Sequence, residues 1–113
     1  MLEKLGQFVL LIDFYGPLLT EKQRRILKDY YENDFSLSEI ANDLNISRQA
    51  IYDLIKRAEH QLLQYEAKLG LVTKFQSTRQ NLEHVCNLLD DKEIDPDRLQ
   101  KAVQILRAIT ELL

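Results

Sequence analysis

Tryptophan is missing from this chain, cysteine occurs once, histidine and proline twice each and glycine three times. Each scarcity excludes something. A single thiol, Cys86, cannot build a disulfide framework, and its apolar helical stripe with Leu82, Val85 and Leu89 predicts a small buried hydrophobe in a reducing compartment. His60 and His84 are too far apart for a metal-ligand or nucleophile-base spacing, and no glycine-rich loop is present to cradle a phosphate. Glu59 precedes His60, but sequence neighbours on a helix point about 100° apart. Neither an enzyme nor a resident metal or cofactor is expected.

Long hydrophobic runs are missing too. Phe8–Ile12, in M-L-E-K-L-G-Q-F-V-L-L-I-D-F-Y-G-P, is too short for a signal peptide or a membrane span and has an acid on either side. The expectation is a cytoplasmic protein with no membrane insertion. An excess of positive charge is also absent: the net charge is −3. Residues 1–19 carry one base and two acids, residues 20–63 seven and eight, and residues 64–113 seven and eight, so every part nets −1. Phosphate contacts supply much of a nucleic-acid binder's affinity, so its cations would have to be gathered locally.

What the chain does contain is helix formers. With 113 residues and 45% hydrophobic content it suits one all-α domain, residues 1–113. Leu5, Phe8, Val9, Ile12 and Phe14 give a first helix, Leu2 to Tyr15, an apolar face broad enough to pack between helices or subunits, and Gly16-Pro17 stops it. Thr20 caps a second helix, with Glu21 in its first turn, Gln23 closing a capping box, and Ile26, Leu27, Tyr30 and Tyr31 inward. Ser36 and Glu39 repeat that box for a third helix, which buries Leu37, Ile40, Ala41 and Leu44.

A fourth helix starts near Ser47 and meets no breaker before Gly70, about 33 Å of rod. Its stripe is Ile51, Leu54, Ile55, Ala58, Leu62, Tyr65 and Leu69. Lys74 to Leu89 and Asp97 to Leu112, the latter opened by cap Asp95 and Pro96, form a helical hairpin. Residues 64–113 are thus C-terminal helices for packing or dimerisation. The acids of Asp90 to Asp97 are ordinary for a loop and a helix N-terminus.

Residues 20–63 have the pattern of a helix-turn-helix: small Ala41 where two helices cross, Asn45 in a turn needing left-handed backbone, and Ile51 and Leu54 holding the second helix on the first. Ser47, Arg48, Gln49, Tyr52, Asp53 and Lys56 remain for its outer face. Arg48 matches the guanine edge and Gln49 the adenine edge in a major groove, while Ser47 and Lys56 suit phosphates. Asp53 repels phosphate unless it accepts from a cytosine amino group. Lys22, Arg24, Arg25 and Lys28 add cations on the second helix.

L-T-x-x-Q-R-x-I-L from Leu19, S-x-x-E-I-A from Ser36 and I-S-R-Q-A-I from Ile46 resemble region 4 of bacterial sigma factors. With F-Y-G-P-L-L-T-E-K-Q (Phe14 to Gln23) and the C-terminal helices, the chain resembles the YlxM family along essentially its full length. Members are encoded beside the signal recognition particle GTPases, so the resemblance implies a regulator of that pathway. Two readings follow. One is a homodimeric transcription regulator whose paired fourth helices enter successive major grooves of DNA. The other is an adaptor contacting signal recognition particle RNA or its GTPase.

Overall fold

The computed structural model describes residues 2–90 and 93–113, and over these the protein is all-α, with six α-helices and no strand. They are α1 (Leu2–Tyr15), α2 (Glu21–Tyr31), α3 (Leu37–Leu44), α4 (Arg48–Leu69), α5 (Leu71–Leu89) and α6 (Pro96–Leu112), with a 3₁₀ turn at Gly16–Leu18. Asp91 and Lys92, part of the acidic stretch, lie outside the described residues.

Local chemistry sets most boundaries. Thr20 and Ser36 each complete a capping box, Gln23 and Glu39 returning the bond to the cap's own N–H at 3.1 and 3.2 Å. Asn45 takes the left-handed conformation, with φ 55°, and the Ile46 N–H reaches back to the Ala41 carbonyl at 3.0 Å. That bond closes α3 and swings the chain into α4. Ser47 caps α4 through the Ala50 N–H, and Asp95 caps α6 through the Arg98 N–H at 2.7 Å.

The chain divides into two compact units, residues 1–72 and 73–113. In the first, α1 packs on α2 and α4, and α3 packs on α4. Tyr15, Ile26, Leu27, Ile51, Ala58 and Leu62 are fully sealed in its core. Phe8 stacks on Tyr31, with ring centroids 5.2 Å apart, and Tyr30 meets Tyr31 edge-on. Leu5, expected on the inner face of α1, is exposed, while Leu37, Tyr30 and Leu44 are half-buried.

The fifth helix starts earlier than Lys74, at Leu71, directly after left-handed Gly70. Tertiary contacts make this early start possible. The Tyr15 hydroxyl donates to Glu66 and accepts from the Leu71 N–H at 3.0 Å, and Glu66 accepts from the Val72 N–H at 2.9 Å. Two first-turn amides that a helix start leaves orphaned are thereby satisfied.

The second unit is α6 with α5 from Thr73 onward, and its buried residues are Val85, Ala102 and Ile109. Cys86 corrects the sequence reading, because it is exposed. Of the stripe Leu82–Val85–Cys86–Leu89 only Val85 is buried, and Leu82, Cys86 and Leu89 are all exposed, because a two-helix unit covers only part of each helix's apolar face.

Candidate nucleic-acid interface

The first two turns of α4 stand proud of the core that mounts them. Ile51 and Ile55 are buried and Leu54 is half-buried, so Arg48, Gln49, Tyr52 and Asp53 are left on the outer face, all exposed. A shallow cavity of about 520 Å³ opens among Leu37, Arg48, Gln49 and Tyr52. Arg48 makes no ion pair or hydrogen bond among the described residues, and its five donors stay available. Gln49 donates to Asp53 one turn on, Nε2 to Oδ1 at 3.0 Å. The carboxylate therefore steadies the amide, which keeps its carbonyl oxygen and a second N–H for other partners.

Other predicted residues are already engaged. The Ser47 hydroxyl accepts from the Ala50 N–H at 3.1 Å, which leaves its own proton able to donate. Lys56 turns along the helix to Glu59, Nζ to Oε1 at 3.4 Å, and lies 5.5 Å from the Tyr52 ring centroid. Glu59 beside it raises the Lys56 pKa above the ordinary lysine value. On α2, Arg25 pairs with Asp43 of α3 at 3.6 Å, and Arg24 runs its stem past Gly16, where an added Cβ would sit 3.4 Å from its Cδ. Lys22 and Lys28 are exposed with no ion pair among the described residues. The face thus groups Ser47, Arg48, Gln49, Tyr52 and Asp53 into one row on α4, while Arg25 and Lys56 are spent on carboxylates.

These features agree with what the chain is similar to. Residues 2–106 match the family model UPF0122, described as "Putative helix-turn-helix protein, YlxM / p13 like". The chain belongs to the UPF0122 family. A UPF0122 protein of Desulforamulus reducens is 49% identical over 104 residues, covering 90% of this chain and 89% of that protein. Another, from Thermoanaerobacter sp. strain X514, is 47% identical over 106 residues, covering 91% of each chain. One from Halalkalibacterium halodurans is 43% identical over 106 residues, covering 94% of this chain and 96% of that protein. No helix among the described residues is long and apolar enough to cross a membrane.

A buried carboxylate on the inner side of this UPF0122 helix adds a polar anchor that the sequence analysis does not assign. Glu59 is 5% exposed and accepts from the Tyr31 hydroxyl at 2.9 Å, while Lys56 meets its other oxygen. Burial, with Glu59 beside it, pushes the Tyr31 hydroxyl far above the ordinary tyrosine pKa. A signal was available, since Glu59 falls four residues after Ile55 and three before Leu62, on the inward stripe of α4.

Proposed function

We propose that this protein is a cytoplasmic, homodimeric DNA-binding regulator that lays the start of α4 in a major groove, in a role connected with the signal recognition particle pathway. One observation carries the reading: Arg48, Gln49, Tyr52 and Asp53 form an exposed row on a helix whose opposite side is locked into the core. Arg48 addresses guanine, Gln49 adenine and Asp53 a cytosine amino group, while Ser47, Lys22 and Lys28 meet phosphates and Arg24, Arg25 and Lys56 follow the backbone once their partners yield. Recognition uses no cofactor and no catalysis.

The test is a binding titration at moderate salt, comparing duplex DNA from upstream of the protein's own operon with random duplex. A clear preference for the operon DNA is expected, reduced by about 1–3 kcal/mol in Arg48→Ala and in Gln49→Ala. Both side chains are exposed, so thermal stability stays level. Equal binding of both duplexes removes the reading.

A second reading has its own support. The net charge of −3 and the pairing of Arg25 and Lys56 with carboxylates thin the cationic stripe that DNA calls for. An adaptor holding the signal recognition particle through its GTPase needs no such stripe, because a protein surface carries no phosphate backbone. RNA helices present a deep, narrow major groove, so loops and backbone charge would make the RNA contact. Titrating the chain against particle RNA and against the GTPase separates the two, and binding to neither removes the adaptor.

A further inference from the structure

The second unit has little between its helices: among its described residues only Val85, Ala102 and Ile109 are buried. Half-buried Asn81 and Leu88 share the stripe of Val85 on α5, and half-buried Ile105 shares that of Ala102 and Ile109 on α6. An antiparallel pairing of α5 and α6 through the connecting loop would set Leu88 opposite Arg98, Val85 opposite Ala102 and Thr78 opposite Ile109, which puts the buried and half-buried residues of the two helices face to face.

A turn of about 100° from each inner stripe reaches a second apolar row. On α5 that row holds Leu82, Cys86 and Leu89, and on α6 Leu99, Val103 and Leu106, all six exposed. Antiparallel helices wind in opposite senses when viewed from one end. An equal turn on each therefore brings both rows to the same side, and the hairpin presents one continuous apolar face.

We propose that a second copy of this chain covers this face, two hairpins closing into a four-helix bundle. The inference rests on the homodimeric part of the proposed function and names the surface that makes the pair. Exposures from 37% at Leu89 to 52% at Leu99, with 81% at terminal Leu113, leave roughly 500 Å² of apolar-residue surface on that side, near the apolar share of the roughly 800 Å² that each partner gives a standard interface. The borders carry both signs, the Arg79–Glu83 pair at 3.5 Å along α5 and Arg107 with Glu111 along α6. Such a border complements its own copy across a two-fold axis. A two-helix unit of this size is also too small to build a sufficient core alone, and the bundle supplies the missing layer.

The test uses the full chain. Light scattering or sedimentation at tens of micromolar is expected to give twice the 13.3 kDa chain mass. Leu82→Glu with Leu106→Glu is expected to raise the dimer dissociation constant at least about 100-fold, because each charge would be buried unpaired. Both positions are exposed in the single chain, so helix content measured by circular dichroism should hold. In the native protein the Cys86 thiol is expected to react with a maleimide several-fold more slowly as concentration rises into the dimeric range. A variant pair that stays dimeric overturns this face while leaving another dimer possible. A native chain that stays at 13.3 kDa overturns it whatever the Cys86 rate, since fast reaction means an open face and slow reaction means a different cover.

Discussion

Two regions of this chain are helical to nearly the same degree and packed to very different depths. In residues 1–72, α1, α2, α3 and α4 enclose a continuous core that includes five residues with no measurable exposure on α2 and α4 alone, Ile26, Leu27, Ile51, Ala58 and Leu62. Residues 73–113 bury three side chains among the described residues and leave a row of leucines in water. Helix content is thus no guide to where the stability lies. The well-packed unit holds the candidate reading row rigid, and the sparsely packed one has apolar surface left to spend on a partner.

The largest expected effect would break this contrast if it failed. Ile51→Ala opens a cavity at the crossing of α3 and α4 and should cost about 2–5 kcal/mol. Ile109→Ala, in the thinner unit, should cost less and melt that unit alone. All five tyrosines lie in residues 1–72, so their near-ultraviolet signal follows the first unit while far-ultraviolet circular dichroism follows both. Ile51→Ala should shift both signals together, and Ile109→Ala only the second. Identical shifts in both variants would mean that the units unfold as one and that the contrast has no energetic meaning.

Alkali should sharpen the same contrast. Burial raises the pKa of Tyr15 and Tyr31 above 10.0, and Glu59 raises that of Lys56 above 10.5. In each case the folded chain holds a proton that the unfolded chain releases sooner. The stability from these groups is complete below about pH 10 and is lost as pH climbs further. Melting temperature should be level between about pH 7 and pH 9 and fall above pH 10, with the tyrosine signal leading, since all three groups lie in the first unit. Tyr31→Phe leaves Glu59 short of one donor and should cost about 1–3 kcal/mol at neutral pH, with a shallower alkaline decline. An equally steep decline in that variant would place the alkaline sensitivity elsewhere.

The sequence was readable where local chemistry decides. Thr20, Ser36, Ser47 and Asp95 act as caps, and Asn45 adopts the left-handed turn, because each satisfies backbone groups within a few residues of itself. The start of α5 was not readable, because Tyr15, 56 residues away from Leu71, supplies one of the bonds that lets the helix begin there. The bond that lets Glu59 be buried is not legible locally, because the hydroxyl that satisfies it lies 28 residues back on α2. Cys86 differs from its expected burial because an apolar stripe says which residues avoid water, and in a two-helix unit only part of that stripe finds a neighbour within the chain. For the candidate row, the exposure of Arg48, Gln49 and Asp53 on the outer face of α4 is legible in the sequence, but the bond from Gln49 to Asp53 depends on rotamers.

The smallest expected effect compares like with like. Ser36 and Asp95 each accept one first-turn amide at an exposed N-terminus, of α3 and α6. Replacing either with Ala should cost about 1 kcal/mol at its own helix. The consequence should differ, because α3 is pinned by Ile40 and Ala41 in a deep core whereas α6 relies on Ala102 and Ile109. Ser36→Ala should lower the cooperative transition of the first unit with little local change. Asp95→Ala should instead fray α6 from its start, seen as faster amide hydrogen exchange over Asp97 to Lys101 while the tyrosine-reported transition stays in place. If Asp95→Ala moved that transition as far as Ser36→Ala does, the sparse unit would be contributing to the stability of the dense one, and the two could no longer be treated as separate reservoirs.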